Sequence, residues 1–360
     1  MVSPSPRGHI PALDGVRACA ALAVIGLHVA KSVLPGGYIG VDIFFVLSGF
    51  LITSLLVREA DETRALDLPR FYVRRALRLL PALAALCAVQ ALVLAALPAA
   101  RLRGPDLEGL ATAATYTSSF FAAAGANLGW FTHTWSLSDE EVFYLAWPVV
   151  ILLLRGSRHL APVVFAITGA AIGWHLVVAL ASGVDRVYYP PDMRAEQLLI
   201  GCSLAVAVSR YRIQVPATAG GVAAAGLLAF GLGAGHLALM TYLRGWTTLI
   251  AVASAVLVGA VATGNGTWLN RLFAGPPQLW LGRRSYGLYL WHPLALLLVI
   301  TYGPGSAMLR LPIVLLLSVA MAAASYRFVE APFLRRKDAL ERHRARPVAA
   351  PVVAAQVESQ

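Results

Sequence analysis

The chain has 360 residues, 58% of them hydrophobic and only 13% charged, with a formal net charge of +11. An ordinary soluble domain carries about 25% charged residues, so this composition excludes a soluble globular protein and indicates an all-α, polytopic membrane protein whose partner is the lipid bilayer. The basic excess contains no aromatic-interleaved basic module, which sets nucleic acid aside.

About 20 predominantly apolar residues cross the hydrocarbon core as a helix. Ten such segments are predicted, near 12–31, 39–57, 76–98, 139–154, 160–181, 195–209, 216–234, 246–263, 284–302 and 310–330. The third, fourth and sixth have polar edges that blur their ends. The first is long, contains Arg17 and lacks a small-residue cleavage site, so it is expected to stay in the mature chain rather than act as a signal peptide. The longest connection, about 99–138, has no room for a soluble second domain. After Glu330 the chain turns basic and then becomes the tail PVAAPVVAAQVESQ, without a folding signal. The expected division is a transmembrane domain at 1–334 and a basic, disordered cytoplasmic tail at 335–360. Cys19, Cys87 and Cys202 fall in different spans with no paired spacing, so neither a disulfide nor a metal site is indicated, and they read as small core residues.

Charge orients the spans. With the N-terminus in the cytoplasm, 21 of the 29 Lys and Arg residues fall on the inner side and 7 on the outer side, Arg17 lying within the first span. That bias places both termini inside.

Ionisable groups inside a span are expensive and face protein or a wet cavity. The first span, ALDGVRACAALAVIGLHVAKSVL, carries Asp14, Arg17 and His28. Arg17 and His28 are close to three helical turns apart, so they share a face about 16 Å apart along the axis. Alternating span direction then places Asp42, Glu140, Glu141, Arg194 and Glu196 near the depth of His28. Arg74, Arg75, Arg78, Arg284, Arg327 and Glu330 lie level with Arg17, and His292 lies between the two layers. An arginine rim suits a polyanionic ligand, because guanidinium binds phosphate bidentately. A histidine with carboxylate neighbours suits proton transfer from a hydroxyl.

Plainer roles compete with these. The arginines of RFYVRRALRLLP could be positive-inside anchors, and His292 in SYGLYLWHPL a structural hydrogen-bonding partner. Ser138, Asp139 and Glu140 of WSLSDEEVFY could cap a helix, and Ser48 could bond its own helix backbone. Gly40, Gly49 and Gly201 are read as helix-packing contacts. Glu141 is less easily explained this way.

At these residues the chain resembles the acyltransferase 3 family of integral membrane O-acyltransferases. The resemblance runs through LDGVRACAALAVIGLH, GVDIFFVLSGFLIT, FYVRRALRLLPA, HTWSLSDEEVFYLAWP, MRAEQLLIGCSLA, LGRRSYGLYLWHPL and SYRFVEAPFLRR, in order over nearly the whole chain. It implies transfer of an acyl group, commonly acetyl, from cytoplasmic acyl-coenzyme A to a hydroxyl of a sugar or sugar-bearing compound, in the bacterial cytoplasmic membrane. By position, His28 is the implied catalytic base, Arg17 its partner and Glu141 a support for the acceptor. Arg75 and Arg78, with Arg74 beside them, are the implied coenzyme contacts. Asp42, Glu140, Arg194 and Trp135 fall to the acceptor side. Ser138 and Asp139 depart from the family's small and apolar pair. The chain shows no appended extracytoplasmic hydrolase-like domain. Members with that domain often modify envelope polysaccharides such as lipopolysaccharide, whereas stand-alone members also include acylases of antibiotic sugars, so two acceptor classes stay open, an antibiotic sugar and a cell-envelope glycan, with a small lipophilic glycoside such as a macrolide mildly favoured. The competing reading is a transporter, for intramembrane charges also mark substrate pathways; it shows no inverted repeat and leaves the arginine rim unexplained.

Overall fold

The computed structural model describes residues 9–96, 104–304 and 306–336, and among them the chain is helical with no strand. Seven helices are long and apolar enough to cross a membrane: Pro11–Val29, Ile39–Thr63, Leu68–Ala96, Leu160–Ala181, Leu239–Thr263, Ser285–Tyr302 and Leu309–Arg336. In chain order, α1 is Pro11–Val29, α2 Ile39–Thr63, α3 Leu68–Ala96, α4 Gly104–Ala114 and α5 Ser118–Ala123. A 3-10 turn at Gly129–Thr134 leads into α6 (Trp135–Leu154), followed by α7 (Leu160–Ala181), α8 (Val184–Tyr188), α9 (Pro191–Tyr211) and α10 (Ala217–Gly233). Then come α11 (Leu239–Thr241) and α12 (Thr247–Thr263), joined by a π-turn, α13 (Trp268–Phe273), α14 (Pro276–Gly282), α15 (Ser285–Tyr302) and α16 (Ala307–Ser325).

The three other expected spans are helical as α6, α9 and α10. Charge and length separate them from the seven: α6 and α9 carry ionisable residues in their first two turns, and α10 has 17 residues. Helix α3 starts eight residues before the apolar run at 76, because the Asp67 carboxylate accepts a hydrogen bond from the Arg70 amide at 3.1 Å and satisfies one of the orphan donors at that end. The extension puts all three residues expected to contact the coenzyme, Arg74, Arg75 and Arg78, on one helix. The tail expected from 335 lies outside the described residues, apart from Arg335 and Arg336, which are helical.

Small residues set how closely the central helices pack. A Cβ on Gly49 of α2 would collide with the Leu198 carbonyl of α9, and one on Gly201 of α9 would collide with the Val46 carbonyl of α2. Gly40 meets the Ala20 carbonyl of α1 in the same way. Without a hydrophobic drive between helices in lipid, such backbone approach supplies much of the association. Helix α1 therefore sits in the middle of the bundle, against α2, α14 and α15. Cys87 and Cys202 are buried as expected, but Cys19 is exposed, since it falls on the face of α1 turned away from these neighbours.

The 104–134 connection is folded rather than loose. The Trp130 amide donates to Asp106 at 3.0 Å, Gln90 donates to the Trp130 carbonyl at 2.9 Å, and the Ser118 and Thr134 hydroxyls are 2.7 Å apart. All four of these polar side chains are buried, where each hydrogen bond is strong and each missing one is costly. The network holds the 3-10 turn against α15 and so places His133 inside the bundle.

Candidate active site

A cleft of about 740 Å³ opens between α1, α2, α3, α6 and α15, and Arg17, Arg75 and Arg78 all line it. Arg17 donates from Nε to Ser285 at 3.1 Å. The Arg75 guanidinium lies on the ring of Tyr144 and 3.9 Å from Glu140. Glu140 in turn accepts from Ser48 at 2.8 Å and from the Tyr144 hydroxyl at 3.0 Å. The cleft is therefore lined by three permanent cations and one carboxylate, which is itself already engaged. Arg74 does not line the cleft, nor does Glu141, which faces Arg75 electrostatically from outside the lining.

At its deep end the cleft reaches Tyr289. The Tyr289 hydroxyl donates to the His133 carbonyl at 2.8 Å and lies 2.6 Å from Ser136. Beyond it, three imidazoles cluster: the rings of His28 and His292 are 5.1 Å apart and those of His133 and His292 5.7 Å. His28 bonds through Nδ1 to the Val24 carbonyl at 2.8 Å, and His292 through Nδ1 to the Tyr289 carbonyl at 2.7 Å. A carbonyl only accepts, so Nδ1 carries the proton in both rings and Nε2 presents a lone pair. Nε2 of His292 and both ring nitrogens of His133 are buried without a partner among the described residues. Burial first, and the neighbouring His28 second, push His133 down to about 3, so it is neutral at physiological pH. His28, unlike the other two, is exposed.

The contacts of His28 are thus a main-chain carbonyl and an imidazole, not the carboxylates expected at its depth. Asp42, 1% exposed, pairs with Arg194 at 3.4 Å, accepts from Gln197 at 3.4 Å and is bonded by the Tyr242 hydroxyl. Arg194 also donates to the Tyr188 carbonyl at 2.6 Å and lies 5.2 Å over the Trp135 ring. Of the four acceptor-side candidates, the fold brings Asp42, Arg194 and Trp135 together and sends Glu140 to the arginine cleft. A buried ion pair persists only when its remaining lone pairs and protons are also satisfied, and here both Asp42 oxygens are engaged by Arg194, Gln197 and Tyr242, while the Gln197 oxygen has no partner among the described residues. Beside it, His175 and Glu196 form a second buried pair at 3.6 Å.

Helix geometry also replaces the plain roles given to the residues around 135–144 and to Ser48. Helix α6 begins at Trp135 with Thr134 at its cap position and no side-chain cap. Ser138 instead donates to the Tyr116 carbonyl at 2.5 Å, and Ser48 bonds Glu140 rather than its own backbone. His292 keeps its structural bond and adds a free Nε2 beside His28. His133, Ser136, Tyr144 and Tyr289 were not singled out in the sequence, although all lie in the motifs HTWSLSDEEVFY and SYGLYLWHPL. His133 and Ser136 precede the predicted span at 139, where hydropathy gives no depth, and Tyr144 and Tyr289 lie within spans but carry no charge to mark them.

Residues 10–327 match the family model described as an acyltransferase domain. The chain is 33% identical to O-acetyltransferase OatA of Staphylococcus aureus over 92% of its own length and 58% of that protein. It is 32% identical to peptidoglycan O-acetyltransferase OatA of Listeria monocytogenes over 79% of its length and 49% of that protein. A putative O-acetyltransferase of Staphylococcus aureus is 31% identical over 94% of the chain and 59% of that protein. The chain thus spans only about half to three fifths of the length of these relatives. No solved structure matches it.

Proposed function

Because the chain belongs to the acyltransferase 3 family of membrane acyltransferases, we propose that it is an O-acetyltransferase moving an acetyl group from cytoplasmic acyl-CoA to a hydroxyl of a sugar-bearing acceptor. The observation that carries this reading is the placement of an arginine-lined cleft and an exposed, tautomer-fixed histidine on opposite sides of Tyr289 and His292. Arg75 and Arg78 would hold the coenzyme's phosphates by charge-assisted hydrogen bonds. Arg17, fixed by Ser285, lies deeper in the same cleft and orients the donor along α1 toward His28.

In the step itself, Nε2 of His28 takes the proton of the acceptor hydroxyl as the oxygen bonds to the thioester carbonyl carbon. The C–S bond then breaks, and the departing thiolate receives that proton from His28. The Val24 carbonyl holds the ring in the basic tautomer and stabilises the imidazolium in between, the role a carboxylate plays elsewhere. His292 and His133 supply a neutral polar wall that adds no competing charge. The Lys and Arg bias supports ten spans with both termini in the cytoplasm, which would open the arginine cleft to the cytoplasmic donor.

The name of the Listeria relative specifies peptidoglycan, which favours a cell-wall glycan as the acceptor. The test is comparison of cell-wall and metabolite extracts from cells with and without the gene, by mass spectrometry, alongside cells expressing His28→Ala. A single added acetyl group that is present with the gene and absent with His28→Ala is the expected result. Full acetylation in the variant overturns the role of His28, and a gene-dependent solute flux without any new acetyl ester overturns the enzyme reading.

A further inference from the structure

On the other side of α6 from the arginine cleft, a groove of about 980 Å³ runs between α6 and α9. Successive residues of α6 serve the two sites: Glu140 lines the cleft and Asp139 lines the groove. Apart from Asp192 at the rim, the groove walls are apolar, with Phe120, Val142, Phe143, Ala146 and Leu198 among them. Asp139 is 1% exposed, and neither of its carboxylate oxygens has a hydrogen-bond partner among the described residues.

The neighbouring donors are already used. Ser138 gives its proton to the Tyr116 carbonyl, so in the 2.9 Å contact between the Ser119 and Ser138 hydroxyls Ser119 is the donor, and its interaction with the nearby Asp139 carboxylate competes for that same proton. Each hydroxyl has one proton to give, so Asp139 has no donor of its own. Arg194 acts on Asp139 from a distance, but its guanidinium is bound to Asp42 and to the Tyr188 carbonyl. The groove's other carboxylate, Asp192, sits at the rim with its oxygens taken by Arg186, at 3.1 and 2.6 Å, and by Trp174, at 2.8 Å. Among the described residues, no Lys or Arg lines the groove.

A buried carboxylate without donors is stable in an apolar wall only when a partner brings a charge or a proton to it. One unpartnered carboxylate and no lining cation among the described residues favour a positive partner, and aromatic and aliphatic walls favour an apolar body around that charge. We infer that this groove is a binding site for the ammonium group of a lipophilic amine, which pairs with Asp139 while its hydrocarbon frame fills the space between α6 and α9. Occupancy of the groove does not depend on acyl transfer, for no residue of the arginine cleft contributes to it.

The test is calorimetric titration of the full chain in lipid nanodiscs with 1-aminoadamantane and with its neutral isostere 1-adamantanol, each corrected against empty nanodiscs. The expected result is saturable amine binding at least tenfold tighter than alcohol binding. Asp139→Asn should erase that preference. Ala146→Phe, which fills the groove without touching the carboxylate, should abolish binding of both, and it decides the matter if Asp139→Asn fails to fold. Absence of saturable amine binding, equal affinity for amine and alcohol, or amine binding unchanged by Ala146→Phe would each overturn the assignment. No acyl donor is present in the titration, so its failure leaves the acetyltransferase reading untouched, and an inactive transferase would still bind the amine.

Discussion

Glu140→Gln tests the electrostatics of the arginine cleft with minimal change of shape. The amide keeps an oxygen for Ser48, 2.8 Å from Oε1, and a polar group for Tyr144, 3.0 Å from Oε2, so the main loss is the charge 3.9 Å from Arg75. At an effective dielectric near 20, unit charges at that separation attract by about 4 kcal/mol. The two side chains are 13% and 18% exposed, so solvent screens the pair and each charge has lost hydration. Exposed pairs contribute about 0–1 kcal/mol, and breaking a fully buried one costs about 3–5. This pair falls between, with an expected coupling of about 1–2 kcal/mol. A melting point lowered by about 2–5 °C should result. The assay is thermal unfolding in one detergent for wild type, Glu140→Gln, Arg75→Met and the double variant. Arg75→Met keeps an apolar stem against Tyr144, so the cycle isolates the ionic contribution, and the double variant should be less destabilised than the sum of the singles by the coupling. Additivity to within about 0.3 kcal/mol would refute the pairing as an energetic feature of the cleft.

Arg75→Ala and Arg78→Ala should raise the KM for acetyl-CoA about tenfold or more with kcat nearly unchanged, because phosphate contacts persist from ground to transition state; steady-state kinetics in membrane vesicles measure the split. Gly201→Leu forces a side chain onto the Val46 carbonyl and should abolish the monodisperse folded peak in detergent chromatography, whereas Gly226→Ala, with nothing within 4 Å of the new Cβ, should elute as wild type. His133 is held at about 3 by burial and by His28, below its ordinary 6.5. The unfolded chain therefore binds that proton first, and His133 makes the fold lose up to about 1.4 kcal/mol per pH unit as pH falls from about 6.5 toward 3. His133→Gln should flatten the acid side of the melting-temperature profile relative to wild type, with His28 and His292, which face it, left in place, and an unchanged acid slope would contradict the burial argument.

Much of the architecture is written locally. Apolar runs of the right length name the spans, because hydrocarbon forces the backbone to bond within its own segment. The spacing of Arg17 and His28 is equally local: both project toward α15, where Arg17 meets Ser285 and His28 meets His292. Gly49 and Gly201 were recognisable as packing sites, since only a close backbone approach gives a glycine value inside a lipid-facing bundle.

Depth and partnership were not legible in the same way. Span direction placed Glu140 beside Asp42, yet α6 starts at Trp135 and turns Glu140 toward Arg75, leaving Asp42 to Arg194 and Tyr242. Adjacent residues on a helix differ by about 100° in direction, which is why Asp139 and Glu140 line different cavities. His133 carries no hydropathic signal and reaches the histidine cluster only because Asp106, Gln90 and Ser118 pin a distant connection into the bundle. Sequence alone marked the ten long apolar segments that fold as helices and the two ionisable candidates on α1, but not the short helices between them. Tertiary structure decided which carboxylate faces which cation and which imidazoles meet, because a buried polar group takes its partner from whatever helix packing brings within about 3 Å.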